Sequence, residues 1–139
     1  MIESDVWECA VAKILVIDND MNARDLLKTL IQTRLENLVF LASDGVDALK
    51  VVRTQLPDLI ITDIKMPNMD GYEFVRQLRA DPVLRKTEVI FYSAYFFEPA
   101  TAFSAALSLG VTNVLFKPAK PEEILQAIDT ALSHVRYHT

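Results

Sequence analysis

Five short apolar runs, each ending at or beside a polar residue, alternate along this chain with longer stretches of helical spacing. The runs are Lys13–Ile17, Leu38–Ala42, Leu59–Asp63, Val89–Ser93 and Asn113–Phe116. The stretches that follow them carry apolar residues three and four apart, which predicts a helix after each run. Leu26, Leu27, Leu30 and Ile31 mark the first, and Val46, Leu49 and Val52 the second. Phe74, Val75 and Leu78 mark the third, and Ala102, Phe103, Ala106 and Leu107 the fourth. Ile124, Leu125, Ile128, Leu132 and Val135 lie on one side of the last. Repeated strand–helix units require parallel strands joined by right-handed crossovers, with helices covering both faces of the sheet. Ile14–Ile17 and Leu59–Ile61 are continuously apolar, as strands buried on both faces must be. The fold class is α/β, a doubly wound sandwich.

The punctuation agrees with this division. Asp20, Ser43 or Asp44, and Asp70 stand where a side-chain oxygen accepts from the first free N–H groups of a helix. These acids are read as caps or turn residues. Pro121 suits a first helical turn, where its missing N–H costs nothing. Gly110 suits a helix C-terminus, where a left-handed conformation is cheap for glycine.

In open parallel sheets, ligands bind beyond the carboxyl ends of the strands, where the strand order reverses. The residues that close the strands therefore matter most. The first run is followed by Asp18-Asn19-Asp20, the third ends in Asp63, the fourth in Ser93, and the fifth is followed by Lys117. Carboxylates, a hydroxyl and an ammonium thus converge on one edge. Hard oxygens without cysteine suit Mg²⁺, which takes one or two carboxylates and keeps several waters. A carboxylate beside such a cation can attack phosphorus and form an acyl phosphate. The cation, a lysine and a hydroxyl donor spread the charge on the transferring oxygens.

Other function classes find little support. The chain holds three glycines, Gly45, Gly71 and Gly110. None lies in the first strand–helix turn, so no glycine-rich loop is there to cradle the phosphate of a flavin or nucleotide. A net charge of -5 argues against nucleic acid or an anionic membrane surface as partner. One cysteine, Cys9, excludes an internal disulfide and a cysteine-rich zinc site. Met1–Ala12 lacks the basic region of a signal peptide, and no apolar run reaches the ~20 residues of a membrane span. The expected location is cytoplasmic. Residues 1–12, with Trp7 and Cys9, form an N-terminal extension, and residues 13–139 form one domain. His134 and His138 are read as benign residues near a helix's negative end, and Met66 and Met69 as loop packing.

The residues Ile14-Leu15-Val16-Ile17-Asp18-Asn19-Asp20, the stretch Asp58 through Asp63 to Asp70-Gly71, Ser93-Ala94 and Lys117-Pro118 together resemble the receiver domains of two-component response regulators. The match runs in order over residues 13 to 135, and the stretch from Asp63 to Gly71 is its most specific part. The resemblance implies a flavodoxin-like (βα)5 fold with strand order 2-1-3-4-5. It implies Asp63 as phosphoacceptor, and Ser93 and Lys117 as the residues that contact the phosphoryl group. It implies a Mg²⁺ (or Mn²⁺) site built from Asp18, Asn19, Asp63 and the backbone carbonyl of Lys65, and a cis peptide at Lys117–Pro118.

Four departures from the pattern accompany the resemblance. Asn19 stands where relatives carry a second acid, which removes charge from the metal site. Val114 stands three positions before the lysine, where relatives carry an aromatic that rotates on phosphorylation. Ser93 replaces threonine and keeps the hydroxyl. The segment from Ser93 to Lys117 is about two residues longer than usual, near Tyr95-Phe96-Phe97-Glu98-Pro99. Tyr95–Leu109 is therefore expected to be a contact surface, because the helix after Glu98 carries no charge through Leu109. Lys65 and Tyr95 each lie two positions after a key residue, where they would flank the phosphoryl group and set its lifetime.

The expectation is a single-domain switch rather than an enzyme. A histidine kinase or phosphotransfer protein phosphorylates Asp63, and a downstream protein, or a second copy meeting it through the fourth helix and adjacent elements, reads the result. The alternative is a pseudo-receiver, an interaction module working without phosphorylation. Asn19 and Val114 favour that alternative; Asp18, Asp63, Ser93 and Lys117 oppose it.

Overall fold

The computed structural model describes residues 11–34, 37–94 and 99–137. The expectations placed on Trp7, Cys9, Tyr95, His138 and most of the N-terminal extension lie outside these residues. In chain order the elements are β1 (Lys13–Ile17), α1 (Met21–Arg34), β2 (Leu38–Ala42), α2 (Gly45–Gln55) and β3 (Leu59–Thr62). They continue with α3 (Gly71–Ala80), β4 (Glu88–Ser93), α4 (Pro99–Leu109), β5 (Asn113–Phe116) and α5 (Pro121–Tyr137).

The strands form one parallel sheet in the order β2-β1-β3-β4-β5, as the resemblance implies. Alternation along each strand divides the core in two. Leu15, Ile17, Ile60 and Phe91 pack with Val52 of α2, Phe74 and Leu78 of α3, and Ala102 and Ala106 of α4. Ile14, Val16, Leu59, Ile61 and Ile90 point the other way, onto Leu27 and Ile31 of α1 and Ile124, Ile128 and Leu132 of α5. Both layers are apolar at the centre of the sheet, where β1 and β3 carry no polar side chain between Ile14 and Ile17 or between Leu59 and Ile61.

The caps are where the sequence puts them. Asp44, rather than Ser43, caps α2 by accepting from Asp47 N, and Asp70 caps α3 by accepting from Glu73 N. Asp20 accepts from Asn22 N at 3.0 Å, and Gly110 adopts a φ of 67°. Lys117–Pro118 is cis.

Three details differ from the expected pattern. β3 ends at Thr62, so Asp63 leaves the ladder, although its N–H still donates to Ile17 O at 2.9 Å. β4 starts one residue earlier, at Glu88. Leu26, Val46, Phe103 and Leu107 share the helical spacing yet are exposed. A helix lying on a sheet buries one stripe, and these residues sit beyond its edge.

Arg79 ties together the loops that lead into β4 and β5. Its partly buried guanidinium donates to the carbonyls of Leu109 (2.8 Å), Gly110 (3.0 Å), Arg85 (2.9 Å) and Thr87 (2.7 Å). A cation at the end of α4 meets that helix's unpaired carbonyls and its negative pole. Burial lowers the Arg79 pKa below its ordinary value, against the opposing charge of Glu88.

Candidate functional site

β1 and β3 lie side by side in register, with Ile17 beside Thr62. The residues that leave their ends, Asp18 and Asp63, therefore emerge together. Both side chains are nearly buried, with residue exposures of 5% and 9%. Two carboxylates so placed need a counter-charge. Lys117, arriving from the end of β5, supplies it. Its Nζ lies 2.5 Å from Asp18 Oδ2 and 3.1 Å from Asp63 Oδ2. Burial works against the ammonium's charge, but the hydrogen bonds and charges of Asp18 and Asp63 outweigh it and raise the Lys117 pKa. The pairing therefore holds through the neutral range. It contributes fully below the ordinary lysine value of 10.5, and its contribution is lost as pH rises through the raised value above that.

The remaining oxygens are also fixed. Asp63 Oδ1 accepts from Ile64 N at 2.7 Å, and Asp18 Oδ1 from Asp20 N at 2.9 Å. The Thr62 hydroxyl donates to Asp63 O at 2.8 Å, and Arg24 Nη1 to Asp18 O at 2.8 Å. The loop after Asp63 returns sharply, with Gly71 N donating to Ile64 O at 2.7 Å. A Cβ on Gly71 would lie 2.4 Å from Asp63 O, a distance no side chain can occupy. Asn68 bends the same loop with a left-handed φ of 71° and donates from Nδ2 to Asp44 Oδ2 at 2.7 Å. Asn accommodates that conformation better than most residues.

Of the residues singled out in the sequence, the structure joins Asp18, Asp63 and Lys117 directly. Ser93 is 1% exposed at the end of β4, and its carbonyl accepts from Lys117 N at 2.9 Å. Asn19 and Lys65 are exposed, each within two residues of a site carboxylate. His134 pairs with a carboxylate instead of simply facing its helix's end: Nδ1 lies 3.1 Å from Glu88 Oε1. Met66 is buried and Met69 packs against the same core layer, as expected of loop packing. Sequence reading missed Arg24, Thr62 and Tyr92, whose ring centroid lies 5.5 Å from Lys117 Nζ.

The donor set fits a small, hard divalent cation. Asp18 and Asp63 carry two negative charges against the single charge of Lys117, leaving one to be offset. Two carboxylates, an amide and a carbonyl, completed by water, are ligands that Mg²⁺ accepts. Among the described residues no group of three or more His, Cys, Asp or Glu side chains gathers as a metal site.

Comparison with known proteins bears on this edge of the sheet. The family described as "Response regulator receiver domain" matches residues 14–129. The chain is 37% identical over 112 residues to the cyclic di-GMP phosphodiesterase response regulator RpfG of Xanthomonas campestris, covering 80% of this chain but 29% of that protein. It is 29% identical over 124 residues to a probable chemotaxis protein CheY of Rhizobium etli, covering 89% of this chain and 95% of that one. The crystal structure of the chemotaxis response regulator CheY4 of Vibrio cholerae superposes with a TM-score of 0.79 at 27% identity, covering 88% and 99% of the two chains.

Proposed function

Because this chain belongs to the response regulator receiver domain family of two-component signalling, we propose that Asp63 accepts a phosphoryl group from a histidine kinase or phosphotransfer protein. The observation that carries this reading is the sharing of one ammonium, Lys117, by two nearly buried carboxylates, Asp18 and Asp63. The hydrogen bond from Ile64 N and the contact with Lys117 hold both oxygens of Asp63, so the carboxylate presents a fixed face. An oxygen of Asp63 forms a bond to phosphorus while the donor's bond to phosphorus breaks, and the leaving imidazole of a phosphohistidine takes up a proton. Asp18, Asn19, Asp63 and the carbonyl of Lys65 would hold Mg²⁺ or Mn²⁺. When bound, the cation would neutralise charge on the phosphoryl oxygens.

Phosphorylation removes the carboxylate charge that Lys117 met and puts phosphoryl oxygens in its reach. The Ser93 hydroxyl is the second donor. Lys117 N already donates to Ser93 O, so a pull on either residue moves the ends of β4 and β5 together. The chain is then a switch rather than an enzyme, and we place it in the cytoplasm, signalling through a partner. Among the described residues no helix is long and apolar enough to cross a membrane.

The readable surface is α4, where Phe103 and Leu107 are 53% and 85% exposed while Ala102 and Ala106 are buried. Its partner is a downstream protein or a second copy. Sedimentation of the phosphorylated chain should show self-association or capture of that protein, weakened by Leu107→Glu. Monomeric behaviour with no partner on this face would argue against the assignment.

Acetyl phosphate with Mg²⁺ should add ~80 Da to the chain, detected by intact mass. Asp63→Asn should add nothing. A folded wild-type protein that gains no mass would instead be an interaction module working without phosphorylation.

A further inference from the structure

Tyr92 stands one residue before Ser93 on β4 and packs with the α1 and α5 layer, beside Leu115 and Ala119. Its ring meets Lys117 from that side, with Nζ 5.5 Å from the centroid. The same ring forms part of the wall of a groove of about 630 Å³ between α1 and α5, shared with Leu26, Leu30, Lys117, Pro118 and Ile124. One aromatic side chain therefore touches both the ammonium of the site and an apolar surface outside it.

A lysine ammonium is a compact charge on a flexible four-carbon stem, with three donors that can turn in any direction. The two carboxylates draw Lys117 inward, yet they do not define its position on the groove side. A ring face does, because its quadrupole attracts a cation and the attraction grows as water is excluded. Val114, on β5, packs in the opposite layer and has no ring to offer.

We propose that Tyr92 is a positioning residue for phosphoryl transfer: its ring face holds the Lys117 ammonium over Asp18 and Asp63, ready for the phosphoryl oxygens. This rests on Asp63 being the phosphoacceptor. Tyr92→Phe keeps the ring, whereas Tyr92→Leu keeps an apolar residue and removes it.

Two measurements test the assignment. In the unphosphorylated protein, the ring should shift the Lys117 ε-protons upfield in NMR spectra of wild type and Tyr92→Phe, and not in Tyr92→Leu. With acetyl phosphate and saturating Mg²⁺, Tyr92→Phe should be phosphorylated within about twofold of the wild-type rate and Tyr92→Leu about 3- to 10-fold more slowly. If the leucine variant does not fold, Tyr92→Met repeats the comparison. An absent ring-current shift in the wild type, or a wild-type rate in the variant without the ring, overturns the proposal. A wild-type chain that takes no phosphoryl group overturns the assignment of Asp63 instead, and the proton shifts alone then decide whether Tyr92 holds Lys117.

Discussion

Lys117→Met should slow phosphoryl transfer to Asp63 by about 100-fold or more, the scale expected when a preorganised charge is removed from a transferring group. It should also make folding stability depend on pH. Methionine fills the space of the lysine stem but leaves Asp18 and Asp63 without the charge that joins them. Removing one partner from a buried ionic cluster costs about 3 to 5 kcal/mol when the remaining charge stays unpaired. A buried carboxylate left without its counter-charge favours its protonated form, so the folded variant can escape part of this cost by binding a proton. The unfolded chain at neutral pH binds none there. Since the folded state then holds more protons, the variant's stability falls as pH rises. Urea unfolding at pH 5.5 and pH 8 measures the difference. Equal stability at both, together with wild-type phosphorylation, would show that Lys117 is a solvated surface residue.

Gly71→Ala should destabilise the fold by about 2 to 3 kcal/mol and slow phosphorylation at least 10-fold, although the residue carries no functional group. The added methyl would meet Asp63 O at 2.4 Å and Ile64 Cα at 3.0 Å. Both atoms are backbone, so no side chain can swing aside. The strain falls on the peptide of Asp63, and the Ile64 N–H that fixes Asp63 Oδ1 moves with it. Thermal unfolding and the rate of acetyl phosphate labelling check the two effects. A variant as stable and as fast as wild type would mean that the loop from Ile64 to Asp70 yields without disturbing the site.

The chemistry of this edge was legible because the strands end abruptly. Ile17 passes to Asp18 in one residue and Leu59–Ile61 to Asp63 across one threonine, and an apolar run closed by an acid stands out in any sequence. Caps were legible for a similar reason: Asp44 and Asp70 act on N–H groups three residues away. What stayed hidden depends on elements distant in sequence. Tyr92 reaches Lys117 only because β4 and β5 pair in a register that sets Tyr92 beside Leu115. Arg79 binds carbonyls of Leu109 and Gly110, thirty residues away, and a carbonyl acceptor leaves no trace in residue type. The need for glycine at position 71 follows from how closely the returning loop approaches Asp63 O, a distance no local pattern encodes. The spacing of α4 found the helix, but it could not tell that Ala102 and Ala106 are the buried pair and Phe103 and Leu107 the exposed one. Those four residues alternate as two adjacent stripes, and only the position of the sheet chooses between them.

On the proposed function, Asp63 itself carries the phosphoryl group. The most direct measurement is borohydride reduction after reaction with acetyl phosphate and Mg²⁺, followed by peptide mass mapping. An acyl phosphate on Asp63 would be reduced there to homoserine, and Asp18 and Asp20 would remain unchanged. Reduction at another acid, or at none in a protein shown to be folded, would rule out Asp63 as the phosphoacceptor.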